Sequence, residues 1–452
     1  MSLTRSLAQF VTDLRLDSIP SEVIEKARAC TLNGFGIALG SHQTPFFSVA
    51  SRAALQIDGE HENGATLLTD GRKTTAAGAA FANAALFHGR AQEDTCGVAH
   101  FGTILLPLLT ALIETGNGVI EDFLPALIAG YEIGGLLESS FSSITTSHGL
   151  RASPLYGSIS AAAAISKLMH LNEAQTAASL ANAASFTGGT LQSFADGTDE
   201  WRYQVGIAAK NGLTATLLAA NGSVSSPNAF DGIRGFVYAY VRTTCDENLI
   251  NSQLGTNWST TRVTFKPYPV CALNQTPVRA ALKLRELLKH RLHPSIRIRA
   301  RLNPTVVAYA GMNSIGPFFS LSGTLMSTQF CIATTLLNGA PTVARMAAFD
   351  DPKTNDLMAK ISLIADPSIG LLSCVLEADV QAPRAHLHVE LNADHSDYSY
   401  STQQVSELIR RIGEETQVPK EAYDYLEKFV SDLPHADLTD VVRAFKTVQK
   451  NH

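Results

Sequence analysis

The chain has 452 residues, of which 45% are hydrophobic, 17% charged and 7% aromatic, with a net charge of −6. A single core stops growing at roughly 250–300 residues, so two domains, or one large and one smaller, are expected. The acidic balance and the absence of Lys/Arg runs exclude a nucleic-acid partner, because phosphate binding needs a concentrated basic face.

The first twenty residues, MSLTRSLAQFVTDLRLDSIP, follow a helical pattern and lack the uninterrupted apolar run of a signal peptide. From there to about residue 260, small apolar residues recur at helical spacing over 21–39, 73–87, 102–114, 120–141, 157–169, 173–185 and 205–220. Pro20 suits a helix first turn, with Glu22 and Glu25 behind it to complement the N-terminus. The most apolar windows, 104–113 and 123–137, are shorter than the ~18 residues of a membrane span. They also contain Pro107 or Glu132, so no membrane association is expected. Six cysteines (30, 96, 245, 271, 331 and 374) show no CxxC and no regular spacing, which predicts reduced thiols in a cytoplasmic protein.

The pattern then changes. Residues 296–302 alternate apolar side chains with Arg297, Arg299 and Arg301, and 384–391 place Ala385, Leu387, Val389 and Leu391 on one face, the period of a half-buried strand. Helical patterns at 324–337 and 353–361 and a strand-like segment near 360–364 lie between them. The expected organisation is a helical domain at 1–267, a smaller α+β domain at 268–398, and helices at 399–452 returning to the first. The last segment is helical over 403–412 and 420–433.

Three polar islands stand out. HGRAQEDTCGVAHFGT (88–103) gathers two histidines, an arginine, two carboxylates and a thiol. His88, Glu93, Asp94, Cys96 and His100 are competent metal ligands, but their spacing matches no zinc pattern, and a capped polar turn or an acid/base pocket are the other readings. DGTDEWR (196–202) has the wrong order of acids for a calcium loop and reads as an inter-helix turn. FKPYP (265–269) holds Lys266 in rigid extended backbone at the expected domain boundary. The glycines of 34–40 fit helix packing better than a dinucleotide loop, and His386 and His388 fit a solvated strand face.

In order along the chain, LNGFG (32–36), NAALFH (83–88) leading into EDT (93–95) and His100, GSISAAAAISKLM (157–169), Gly206, FKPYP and STQFCIA (327–333) resemble the MmgE/PrpD family over nearly the whole length. The resemblance implies a mainly α fold, with a large all-helical domain plus a smaller α+β lid-like domain. It also implies a homodimer and a pocket between the domains for a small polycarboxylate, with no organic cofactor and no metal. Asp94, Thr95, His100 and Lys266 match the family's pocket motifs. Four positions depart: Ala91 stands where the dehydratase-like pattern has an aspartate, Arg151 replaces a histidine, Trp201 a lysine, and Phe330 a tyrosine.

Arg90, Arg151 and Arg202 would add permanently charged forks suited to carboxylates, so charge binding gains over proton transfer. Within the family this resembles an epimerase of a polycarboxylate amino-acid derivative such as iminodisuccinate. On that reading Lys266 and His100 exchange protons on opposite faces of the carbon, with Tyr156 and Tyr268 as substitute proton carriers. Arg90, Asp94, Thr95, Arg151 and Arg202 would hold the substrate. The alternatives are hydro-lyase or decarboxylase chemistry on 2-methylcitrate or cis-aconitate-like acids, and a carboxylate-binding scaffold without catalysis.

Overall fold

A computed structural model describes residues 2–244, 246–289, 292–381 and 384–449. The first 220 residues are almost entirely helical: Leu3–Asp13, Ser21–Gly40, Phe46–Asp58, Ala76–Phe87, Gly102–Glu114, Phe123–Ser147, Ala152–Leu168, Glu173–Phe186 and Glu200–Ala220. Two short strands, β1 (Ala65–Thr66) and β2 (Lys73–Thr74), pair antiparallel just before the Ala76 helix. The expected helix at 73–87 therefore starts three residues later, where the Thr75 side chain accepts a hydrogen bond from Gly78 N at 3.0 Å and caps it.

The Ala76, Gly102, Phe123 and Ala152 helices are buried over most or all of their surface, which is why alanine, glycine and leucine fill them without a polar face. The glycines of 34–40 lie inside the Ser21–Gly40 helix, where Gly34 receives Leu106 and Gly36 and Gly40 receive the helix Thr402–Thr416. A Cβ at Gly36 would lie 2.4 Å from Ile409 Cγ2. Gly36→Ala is accordingly expected to lower stability by about 1–3 kcal/mol, the usual cost of overpacking, read as a lower urea midpoint.

The chain then builds a second unit around a four-stranded sheet of order β4-β3-β5-β6, from β3 (Arg297–Leu302), β4 (Ile361–Ala365), β5 (Cys374–Gln381) and β6 (Arg384–Leu391). β3 is parallel to β4 and antiparallel to β5, and β5 is antiparallel to β6. The predicted alternation of β3 is realised: Ile298, Ala300 and Leu302 are buried, while Arg299 and Arg301 pair with Glu377, Asp379 and Asp366 on the outer face. Helices Gln275–Leu287 and Thr328–Asn338 pack on each other and against the sheet. The helix expected at 324–337 is broken at Ser327, whose Oγ accepts from Phe330 N and starts the second half. The helices Thr402–Thr416 and Lys420–Asp432 pack on the Ser21–Gly40 helix, and Arg28 donates from Nη1 and Nη2 to the carbonyls of Val430 and Leu433.

Of the six cysteines, 30, 96, 271, 331 and 374 are free thiols, and residue 245 lies outside the described residues. Among the described residues no helix is long and apolar enough to cross a membrane.

Candidate active site

The polar segment 88–101 is anchored by a two-residue antiparallel ladder. Thr95 N donates to Thr264 O at 2.8 Å, and Thr264 N returns the bond at 2.9 Å. Continuing that register by two residues puts Glu93 opposite Lys266, and the Lys266 Nζ donates to Glu93 Oε1 as a short ion pair. Gln92 strengthens the alignment from its amide to the carbonyls of Lys266 and Pro267. The turn after the ladder needs Gly97, whose φ is +62° and whose absent Cβ leaves room for the Glu138 carboxylate.

Two histidines converge on Glu93, one of them backed by Arg151. His88 Nδ1 lies 3.1 Å from Glu93 Oε2, although the contact is not aligned as a good hydrogen bond. An Arg151 Nη donates to His88 Nε2 at 2.7 Å, so the His88 proton resides on Nδ1, facing Glu93. His100 Nδ1 is 2.9 Å from the carbonyl oxygen of Asp94, which only accepts; its Nε2 lone pair therefore faces Glu93 Oε1 at 3.6 Å.

Burial opposes the charge on Glu93, but His88, Lys266 and His100 around it outweigh burial and hold its carboxyl well below the usual range. Burial lowers His88 to about 4, and burial followed by the Lys266 charge lowers His100 well below its ordinary value. At neutral pH the cluster is thus a carboxylate, an ammonium and two neutral imidazoles, the combination of a proton donor and a free base.

A cavity of about 270 Å³ opens on this cluster. Glu93, Thr95, His100 and Lys266 form its polar wall, Trp201 and Phe194 come from the helical side, and Tyr309, Leu325, Met326 and Leu371 from the other. The structure thus brings Lys266, His100 and Thr95 together.

The other expected site residues lie elsewhere, for identifiable reasons. Arg90 is buried with its guanidinium on Gln92 and Glu415. Arg151 donates to the Trp201 carbonyl, Gln204 and His88. Arg202 donates to the carbonyls of His88 and Gly89 and stacks on Phe46 and Trp201, with centroids 3.8 and 4.0 Å away. Among the described residues no arginine lines the cavity, which corrects the expectation of direct guanidinium forks. Burial lowers Arg151 to about 10 and Arg202 to about 9, so both remain charged at neutral pH and lie behind the wall.

Asp94 also turns away, accepting a short hydrogen bond from Tyr131 beneath the wall. The Tyr156 hydroxyl pairs with Thr145 Oγ1 at 2.8 Å, and neither Tyr156 nor Tyr268 lines the cavity. These placements correct Asp94 as a direct substrate contact and both tyrosines as proton carriers. The possible metal ligands of 88–103 also diverge: Cys96 Sγ faces the Ser259 carbonyl, and no group of three or more His, Cys, Asp or Glu among the described residues is gathered as a metal would require. His386 contacts Asp379 on an exposed strand face.

Glu93, which organises the cluster, was visible in the sequence only as one acid in a polar run. The signal for it was the EDT triplet next to Lys266's FKPYP segment once the two are paired. Trp201 was visible only as a departure from a pattern.

Asp94 offers a test of its own. Burial raises its carboxyl to about 7 in the folded protein, so between its unfolded value and pH 7 the native state binds the extra proton. Its contribution therefore favours folding less as pH rises through that window. His88 and His100 are lowered on folding and act in the opposite sense, so the whole curve is a sum. Subtracting the stability–pH curve of Asp94→Asn isolates the aspartate: the variant should gain on the parent from pH 4 to 7, and a constant difference would remove the buried-acid assignment.

A helical body, a smaller mixed-sheet unit and an acid/base cavity lined from both define a two-part helical enzyme fold. The chain belongs to the MmgE/PrpD family, whose members are enzymes: residues 5–247 match the MmgE/PrpD N-terminal domain and residues 268–412 the MmgE/PrpD C-terminal domain. It is 28% identical over 359 residues to the cis-aconitate decarboxylase-like protein oryM of Aspergillus oryzae, covering 75% of this chain and 74% of the relative. It is 25% identical over 389 residues to the cis-aconitate decarboxylase of Aspergillus terreus, covering 80% and 78%.

Proposed function

We propose that this chain is a cofactor-independent lyase that decarboxylates a small unsaturated polycarboxylate and protonates the resulting carbanion. The observation that carries this reading is that Lys266 Nζ and His100 Nε2 both contact the same Glu93 oxygen. They therefore occupy one side of the cavity, with a carboxylate between them, whereas a two-base epimerase needs proton carriers on opposite faces of one carbon. Decarboxylation needs only one donor. The likeness to a cis-aconitate decarboxylase and to a cis-aconitate decarboxylase-like protein supports the same choice.

The bond to the departing carboxylate breaks, CO2 leaves, and the electron pair spreads into the adjoining unsaturated carboxylate. Lys266 passes a proton to the carbon that lost CO2, and solvent restores the ammonium. Glu93 fixes the Lys266 ammonium at the cavity wall, where it serves as the acid, while the His100 lone pair holds or relays the proton. Arg151 and Arg202 stabilise the anionic intermediate through the low-dielectric wall without contacting it.

Epimerisation is the second reading, favoured by the ready pairing of a free-base imidazole with an ammonium. Proton NMR in D2O with cis-aconitate, 2-methylcitrate and iminodisuccinate separates the outcomes. CO2 release with one deuterium at the carbon that lost it supports the lyase. Deuterium exchange with diastereomer interconversion and no CO2 would transfer the assignment to an epimerase. New vinyl signals without CO2 would indicate dehydration, and no change with any of the three would defeat the carbanion reading for these acids.

A further inference from the structure

The proton chemistry leaves two features of the cavity unused. The first is Trp201, which lines the cavity, is only 3% exposed, and has an Nε1–H without a hydrogen-bond partner among the described residues. Its ring is held by Arg202 at 4.0 Å from the centroid, Phe194 at 5.4 Å and His88 at 4.5 Å, so the donor has little freedom to seek a partner elsewhere. Thr95 is its counterpart on the opposite segment. Its backbone is fixed in the ladder with Thr264, and its Oγ1 is buried without a partner. Buried donors are almost always satisfied in folded proteins, so two unpartnered ones on residues that line one cavity are suited to an acceptor-bearing ligand.

The second feature is the character of the far wall. Tyr309, Leu325, Met326 and Leu371 line it, and Leu371 is 47% exposed, which places an apolar side chain where the cavity meets solvent. Lys266 is the only lysine or arginine among the described lining residues, and it is already paired with Glu93; Glu138 adds a second carboxyl. Three carboxylates brought into this space would meet too few cations, and one of them would face leucine and methionine. An alkyl chain there would instead be desolvated, at about fourfold in affinity per buried methylene.

We infer that the substrate is a dicarboxylate bearing an apolar arm: one carboxylate is held by the Trp201 indole N–H and the Thr95 hydroxyl, and the arm lies against Leu325, Met326 and Leu371. This narrows the lyase reading from tricarboxylates to dicarboxylates and rests on it only in taking the cavity as the active site. Binding without turnover tests it, so the two can fail separately.

The sequence contains two tryptophans, and Trp258 borders a different cleft. In a Trp258→Phe background the intrinsic fluorescence reports Trp201 alone. Titration with succinate, 2-hexylsuccinate and tricarballylate should give a dissociation constant for 2-hexylsuccinate at least about tenfold below both others. By calorimetry, Trp201→Phe, which keeps an aromatic ring, should weaken 2-hexylsuccinate by about tenfold or more, the size of one hydrogen bond to a charged group. Leu371→Glu, at an exposed position, should remove the preference over succinate and supplies the test if the tryptophan variant fails to fold. Tricarballylate binding as tightly as 2-hexylsuccinate, no binding of any of the three, or unchanged affinity in the folded variants would each overturn the inference.

Discussion

Replacing Lys266 by alanine is expected to lower kcat by at least ~100-fold, the usual contribution of a positioned general acid. The ammonium carries a transferable proton at the cavity wall and belongs to the only lysine or arginine among its described lining residues. Deleting it also strips Glu93 of its closest counterion, so loss of activity in that variant could reflect a disturbed wall. Lys266→Arg separates the effects. A guanidinium preserves the charge opposite Glu93 but does not give up its proton under working conditions. The arginine variant should melt close to the parent and still be slow, measured as CO2 release with parallel thermal denaturation. Parent-like turnover in Lys266→Ala would remove the lysine from the chemistry.

The second large effect is on folding. Glu93→Ala should lower stability by about 3–5 kcal/mol, because removing one partner of a buried ion pair leaves the other charge uncompensated. Here the debt is shared. Glu93 balances Lys266 directly and, through His88, faces the charged Arg151. A glutamine in the same place keeps the shape and one acceptor oxygen but not the charge, so it should fall between parent and alanine. The measurement is the shift in urea midpoint multiplied by the common slope. An alanine variant as stable as the parent would mean that the four groups do not form one electrostatic unit.

The helical part was readable wherever burial left a uniform small-residue texture, and the Gly102–Glu114 helix appears with the bounds the pattern predicts. Boundaries failed where a local hydrogen bond decided them, as at Thr75 and Ser327. β5 was missed although Cys374, Leu376, Ala378 and Val380 alternate with charged residues over part of its length. Its opening run, Leu371-Leu-Ser-Cys-Val, masks the period of two, and only pairing with β3 and β6 fixes it as a central strand.

At the site, Lys266, His100 and Thr95 were found because their motifs lie on the two segments that the ladder joins. The arginines were misplaced for a different reason. A guanidinium in a sequence shows a capacity for carboxylates but not which acceptors will meet it. For Arg202 these are main-chain carbonyls at the end of the Ala76–Phe87 helix. The acidic partner Glu93 was undervalued because its importance depends on Lys266 and, through His88, on Arg151, both drawn from distant parts of the chain.

Ala91 borders the cavity with a φ of +56°, a left-handed conformation that alanine enters reluctantly and that asparagine, aspartate and glycine tolerate better. The backbone there is already in a form that aspartate enters more readily than alanine. An aspartate at this position would relax the main chain while adding a carboxyl to the cavity. The gap in the wall is therefore a shallow step for descent: a single codon change can supply or withdraw an acid without rebuilding the loop, so the chemistry of such a pocket can diverge faster than the scaffold around it.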